Sequence, residues 1–288
     1  FAGIFFSERL FDLSLYVPLI IGFIILCATS SFNYIINDII DIEYDKRHVE
    51  KLKKKPLASG KLSITFAIIL LIIIVAFIVF SLLFIVPNFE FTLMIILIII
   101  TGQSYNHIFK NYAFIDVIIL SLGYLWRALS GCLIINQYIS AWLFLVIFEI
   151  AMFLSLSKRT GDLNYLGEKQ AVEHKKVFAD YNLSLLNQYS IIVASSLFLT
   201  YALYIIFKFR LDQPGTPQFH EYIAIFTIPL LFYIIMRYMF LTSTKPAIAR
   251  SPEKVFFDKG IIIAGLIFLA ILFITFYFDE ILVILRIP

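Results

Sequence analysis

Runs of about twenty apolar residues, scarcely interrupted by charge, recur along almost the whole chain, and nothing constrains its fold more. The hydrocarbon core of a bilayer is about 30 Å thick, and about 20 helical residues cross it. Such runs lie near residues 13–38, 63–86, 91–108, 112–134, 139–157, 184–208, 219–242 and 260–286. Lipid offers no partner to a free backbone N–H or C=O, so each run must close its own hydrogen bonds as a helix. Residues 1–8 read as the tail of an earlier helix. The expectation is an all-α membrane protein of nine transmembrane helices, the first truncated. With Phe rather than Met at position 1, the natural N-terminus is expected upstream, and no cleavable signal peptide is visible.

Composition enters as a check. Charged residues are 15% of the 288, against ~25% in soluble domains, too few to cover a soluble surface. The 31 Phe and 16 Tyr suit lipid-facing helices better than the alternating strands of a β-barrel. A net charge of +3 is too mild for a nucleic-acid footprint, so no nucleic-acid partner is expected. Cys27 and Cys132 sit inside apolar runs and read as buried thiols.

The connections alternate in character. Segment 39–62 carries Lys46, Arg47, Lys51, Lys53, Lys54, Lys55 and Lys61, and the turn at 109–111 carries Lys110. Segment 158–183 carries Lys158, Arg159, Lys169, Lys175 and Lys176, and segment 243–259 carries Lys245, Arg250, Lys254 and Lys259. Alternating spans put these four connections, with most of the chain's 23 Lys and Arg, on one side. The positive-inside rule makes that side cytoplasmic. Arg9, Lys208 and Arg210 are left for the other side. The plainer reading is that such lysines only set topology.

The most informative stretch runs from Asn37 through Asp38, Asp41, Glu43, Asp45, Lys46 and Arg47 to His48, at the cytoplasmic end of the 13–38 span. If the helix continues, Asp38, Asp41 and Asp45 fall at i, i+3 and i+7 and share one narrow face, while Glu43 points elsewhere. Two carboxylates about 5 Å apart repel by roughly 3 kcal/mol at an effective dielectric of 20, so such a cluster beside an apolar core calls for a cation. Asp38 and Asp45 are about 10 Å apart along the axis, far for one ion to reach all three. Mg²⁺ takes one or two carboxylates and completes its shell from phosphates. The pattern fits a diphosphate clamped through one or two Mg²⁺ ions, or, more plainly, a solvated acidic helix end balanced by lysines. An EF-hand beginning at Asp41 fails on Lys46 and Leu52, and a P-loop fails on Lys55.

Asn37-Asp38-x-x-Asp41-x-x-x-Asp45 resembles the first aspartate motif of the UbiA superfamily of intramembrane prenyltransferases. The continuation Arg47-His48-x-x-Lys51 to Lys55-Pro56-Leu57-Ala58-Ser59-Gly60 resembles the decaprenyl-phosphate phosphoribosyltransferase branch, with Val49 in place of a proline and Lys55 in place of an arginine. Tyr105-Asn106-His107, Lys110, Asp116 and Arg127 through Gly131 resemble its middle region. Lys158-Arg159-Thr160-Gly161-Asp162-Leu163 resembles its second cytoplasmic motif, and Arg250 through Lys259 its last cytoplasmic segment. The resemblance implies one transmembrane transferase domain over 1–288, a UbiA-like bundle around a cytoplasm-facing polar cavity, with motif loops at 38–62 and 158–183.

Relatives that transfer a prenyl group carry a second aspartate-rich motif where this chain has Lys158-Arg159 and the single acid Asp162. That exchange suits a donor and an acceptor that are both anionic, since Lys and Arg bind phosphate and Arg does so bidentately. A topological anchor, or an i,i+4 pair between Lys158 and Asp162, is the plainer alternative. Asp116, Arg127, Glu149 and Arg237 lie inside apolar spans and should face a cavity or one another.

The implied activity is Mg²⁺-dependent transfer of 5-phosphoribose from phosphoribosyl diphosphate to a polyprenyl phosphate of decaprenyl type. Asp38, Asp41 and Asp45 are the catalytic and metal-holding candidates. Asn37, Arg47, His48, Lys55, Tyr105, Asn106, Lys110, Arg127, Lys158, Arg159 and Asp162 are the substrate-binding candidates. The partners would be the two phosphorylated substrates and the bilayer, in the cytoplasmic membrane. A conventional prenyltransferase and a non-enzymatic transporter remain as alternatives; a transporter would show paired acids at mid-membrane in broken helices.

Overall fold

A computed structural model of the chain describes residues 2–46, 55–138, 140–174, 176–213, 215, 217–245 and 252–285. Every long element among them is helical, and none is a strand. Eight helical segments are long and apolar enough to cross a bilayer: Leu13–Ile40, Ile64–Ile85, Phe89–His107, Ile115–Leu133, Ala141–Tyr165, Leu183–Lys208, Phe219–Thr244 and Lys259–Phe276. The chain is an integral membrane protein. A five-residue helix, Ala2–Phe6, precedes the first of them where the tail of an earlier helix was expected.

The starts of these helices follow from short polar side chains that accept from otherwise unpaired N–H groups. Ser63 accepts from the N–H of Phe66 at 3.2 Å. Asn88 accepts from Phe91 at 2.9 Å, Asn182 from Leu185 at 2.8 Å and Asp258 from Ile261 at 3.1 Å. Pro18 and Pro229 each sit in the first turn of a helix, where no N–H is needed.

Two boundaries differ from the sequence expectation. The segment 158–183, expected as a loop, opens as a continuation of helix Ala141–His174. Leu156 and Leu163 are two helical turns apart and both buried, which draws the helix onward as far as Gly167. It is interrupted only at Gly167, whose φ of 73° glycine tolerates without a Cβ clash. The last span stops at Phe276 rather than running to 286, and a separate helix, Phe278–Leu285, follows Tyr277. Asp279 and Glu280 explain the break, because acids favour the first turn of a new helix over the middle of a long apolar one.

The chain forms two compact units, and the division falls inside helix Ile115–Leu133. The first unit, Phe1–Phe109 with Trp126–Tyr138, is built around Leu19, Ile25, Ile78, Phe91, Ile95 and Ile98. It holds the helices α1 (Ala2–Phe6), α2 (Tyr16–Ile40), α3 (Ile42–Asp45), α4 (Ile64–Phe80) and α5 (Phe89–His107). The second unit, Lys110–Leu125 with Ile139–Pro288, packs around Val117, Leu156, Leu163, Phe178, Tyr181 and Leu186. Helix α6 (Ile115–Leu133) begins in it, and α7 (Ala141–His174) lies along α8 (Leu183–Lys208).

Candidate active site

In the first unit, the chain bends at Asp41, the residue between α2 and α3, with φ −90° and ψ 4°. Hydrogen bonding still runs through the bend. The N–H of Asp41 donates to the Asn37 carbonyl at 2.9 Å, and that of Asp45 to the Asp41 carbonyl at 2.8 Å. Asp38 and Asp45 therefore keep the shared face that their i,i+7 spacing dictates. Lys55 Nζ lies between them, 2.9 Å from Asp38 Oδ1 and 2.6 Å from Asp45 Oδ2. The Asp45 side chain is 1% exposed and those of Asp38 and Lys55 about a quarter.

The segment that delivers Lys55 has its own local logic. Residues 55–62 form a tight turn in which the N–H of Ser59 donates to the Lys55 carbonyl at 3.0 Å and that of Leu62 to the Pro56 carbonyl at 3.2 Å. Gly60 takes the left-handed φ of 73° that the turn requires. Leu57 and Ala58 are buried, Leu57 packing with Ile42 and Ala67, so apolar contacts hold the turn against the acidic helix end.

The electrostatics follow. Burial pulls the Lys55 ammonium down, but hydrogen bonds to Asp38 and Asp45 and their charges outweigh it and hold the group above the ordinary lysine value. Burial, then the charges of Asp45 and Asp41, pushes the Tyr44 phenol up.

One feature differs from the sequence expectation, and it is the place of Lys55. Among the described residues no three of His, Cys, Asp and Glu gather closely enough to hold a metal. Instead two of the three acids converge on one cationic centre, and Lys55, expected at substrate phosphates, is that centre. Neighbouring carboxylates need a counter-charge, and Lys55 supplies one. The donor set still suits Mg²⁺, a hard cation that takes one or two carboxylates and completes its shell from water and phosphate.

Other candidates in this unit are drawn into the α2–α5 contact. Asn106 Nδ2 donates to the Asn33 carbonyl at 3.2 Å, Asn33 Nδ2 to the Ile98 carbonyl at 3.1 Å, and Gln103 Nε2 to Asn33 Oδ1 at 2.6 Å. Gly102 lies against the Asn33 amide so closely that a Cβ there would overlap it. Sequence reasoning missed Asn33, Gln103 and Gly102. The available signal was the polar stripe Thr29, Asn33 and Asn37, at i, i+4 and i+8 of an apolar helix. Asn37 and Tyr105 are half-buried, and Arg127 Nε faces Ser30 Oγ at 3.4 Å. Arg47 and His48 lie outside the described residues.

In the second unit, Arg159, expected at phosphate, lies in a buried ion pair. It is 2% exposed, with Nε and one terminal nitrogen 2.9 and 2.8 Å from Asp116 Oδ2. The Tyr181 hydroxyl donates to Asp116 Oδ1 at 2.7 Å and accepts from the N–H of Phe114 at 2.7 Å. Burial, then the charge of Asp116, drives the Tyr181 phenol up. A buried guanidinium must be paired, and Asp116, fully buried at the start of α6, meets that need. Lys158 is exposed one residue earlier on the same helix, Asp162 is buried, and Lys110 is half-buried in the turn Phe109–Asn111. Glu149 accepts from Ser196 and Thr200 on α8. Arg237 grips Asp258 through two hydrogen bonds, at 3.1 and 2.9 Å. A cavity of about 540 Å³ in this unit is lined by Ser157, Thr160, Asn164, Asn187 and Ser243, without a charge to hold phosphate.

The model of the UbiA prenyltransferase family matches residues 1–167. A decaprenyl-phosphate phosphoribosyltransferase of Corynebacterium glutamicum is 26% identical over 231 residues, 79% of this chain and 68% of that one. The protein of that name from Mycolicibacterium smegmatis is 26% identical over 238 residues, 82% of this chain and 72% of the other. A solved UbiA homolog from Archaeoglobus fulgidus, bound to GPP and Mg²⁺, superposes with a TM-score of 0.64 at 17% identity, covering 90% of this chain and 87% of that one. A second structure, of a UbiA homolog from the same organism bound to DMAPP and Mg²⁺, gives the same values. At that identity the likeness speaks to the fold.

Proposed function

Since the chain belongs to the UbiA prenyltransferase family and is a membrane transferase, we propose that it moves 5-phosphoribose from phosphoribosyl diphosphate to a polyprenyl phosphate of decaprenyl type and releases diphosphate. The observation that carries this reading is the convergence of Asp38 and Asp45 on one cationic centre at a helix end. The shared name of relatives that align with about three quarters of the chain supports the choice of substrates.

Asp38 and Asp45, with Asp41 beside them, would hold Mg²⁺, which supplies neutralisation of the charge developing on the departing diphosphate. The anomeric C–O bond to diphosphate breaks as a bond forms from the acceptor phosphate oxygen. That oxygen is already anionic, its second pKa being about 6 as in phospho-residues, so the chain needs no strong general base. Lys158, exposed on α7, is suited to attract the anionic substrates, and Lys55 can turn from the carboxylates to phosphate. Arg159 acts through Asp116 and Tyr181, fixing the helix that carries Lys158 rather than touching phosphate itself. Tyr105 and Asn37 would line the sugar site. The polar face is expected on the cytoplasmic side of the cell membrane.

A second reading, prenyl transfer from an isoprenoid diphosphate, is favoured by the fold likeness to a homolog solved with GPP. One assay separates them. Labelled phosphoribosyl diphosphate and polyprenyl phosphate in detergent should carry label into the lipid extract with Mg²⁺ and lose it with EDTA. Asp41→Asn is expected to lower that transfer at least about tenfold. Transfer from a prenyl diphosphate to an aromatic acid, with none from the phosphoribosyl donor, would establish the second reading instead.

A further inference from the structure

The position of the Lys55 ammonium is not the accident of a long side chain on a free surface. Its backbone belongs to a turn closed by hydrogen bonds from Ser59 and Leu62 and anchored by buried Leu57 and Ala58. Its Nζ is within 2.9 Å of Asp38 and 2.6 Å of Asp45, and the Asp45 side chain is 1% exposed. A carboxylate so buried is tolerated only beside a compensating charge.

Two carboxylates bridged by one ammonium are disposed much as they would be around a divalent cation, except that Mg²⁺–oxygen distances are shorter, about 2.0–2.1 Å. Ammonium and metal want the same oxygens, and like charges cannot share the gap cheaply. Lysine is suited to such an exchange. Its ammonium is compact enough to stand between two acids, and its four-carbon stem lets it swing away, whereas the planar guanidinium of arginine binds as a rigid fork.

We propose that Lys55 is a tethered counter-ion that holds Asp38 and Asp45 together before metal arrives and competes with the metal for them, so that metal and diphosphate load together. The proposal rests on the reading of the site given above. A diphosphate offers the displaced ammonium a new anionic partner, which lowers the cost of freeing the carboxylates. By linkage, the factor by which diphosphate strengthens metal binding equals the factor by which metal strengthens diphosphate binding.

The test uses the full chain in detergent, with Mn²⁺ as probe and free Mn²⁺ read by electron paramagnetic resonance. Lys55→Gln should bind Mn²⁺ alone about tenfold more tightly than the wild type, because the competitor is gone. Inorganic diphosphate should strengthen Mn²⁺ binding to the wild type, after allowance for Mn²⁺–diphosphate association in solution, and should do so far less in Lys55→Gln. Equal or weaker Mn²⁺ binding by the variant overturns the proposal.

If the variant does not fold, the wild type decides. Saturating Mg²⁺ should displace the Lys55 amine and raise its acetylation by an amine-reactive ester several-fold, as read by mass spectrometry; unchanged acetylation overturns the proposal. Transfer of labelled phosphoribose in the same preparation keeps two failures apart. Transfer with equal Mn²⁺ binding removes the role of Lys55 alone. No transfer and no Mn²⁺ binding by either protein removes the underlying reading as well.

Discussion

Arg159 and Asp116 lie 43 residues apart, and their pairing decides what each can do. Both are buried, the arginine 2% exposed and the aspartate not at all. Removing one member of a buried pair strands the other, at about 3–5 kcal/mol, while replacing both with apolar side chains of similar size costs much less. Asp116→Asn is therefore expected to lower the thermal midpoint in detergent markedly, and Asp116→Leu with Arg159→Met to recover most of the loss. A midpoint unchanged in Asp116→Asn would mean that the pair does not hold the fold. At this scale the sequence was legible in residue type and not in partnership. Intramembrane charge announces a partner, but helical period reveals only a face. The Arg159–Asp116 bond and the return of Lys55 onto Asp38 and Asp45 depend on chain that folds back from outside the helix.

Elements were legible wherever their determinants are local. Apolar length marked the spans to within a few residues for most of them, and Ser63, Asn88, Asn182 and Asp258 stand as caps where short polar residues precede apolar runs. The continuation of α7 past Lys158 was not legible, because it depends on Leu163 being buried by tertiary contacts. The α2–α5 contact shows what such contacts control. Asn33 is held by the Ile98 carbonyl and Gln103 only because Gly102 leaves room for it. Membrane helices lack a hydrophobic drive toward one another, so small residues and interhelical hydrogen bonds set their register. Gly102→Ala should push the Asn33 amide from its partners at a cost of about 1–3 kcal/mol. Asn33 lies five residues before Asp38 on the same helix, so transfer should fall together with thermal stability. Adding Asn33→Ala frees the space, and the double variant should lose less than the sum of the single changes. Strict additivity would show that the two positions do not press on each other.

For the whole molecule, composition settled the solvent before any motif was read, since eight apolar spans leave no alternative to a bilayer. Orientation is the property at this scale that follows from charge. Lysines and arginines crowd the connections on one side of alternating spans, and that side is expected to face the cytoplasm, with the acidic helix end and the stretch around Lys158. The expectation can be checked one span at a time. Lys61 and Phe89 flank the span Ile64–Ile85, and Asp180 and Asp212 flank the helix Leu183–Lys208; all four side chains are exposed. Cys27 is exposed rather than buried as its apolar run suggested, while Cys132 is buried, so single cysteines at these positions, in a Cys27→Ser background, can be probed on intact cells with a membrane-impermeant maleimide. Phe89→Cys and Asp212→Cys should react at once, and Lys61→Cys and Asp180→Cys only after the membrane is opened. The reverse pattern would put the basic connections outside, away from any cytosolic supply of a phosphorylated sugar donor. Reaction at all four positions would mean that these helices do not cross. Because each pair brackets one helix, the two measurements are independent, and agreement between them fixes the sidedness that the charge distribution implies.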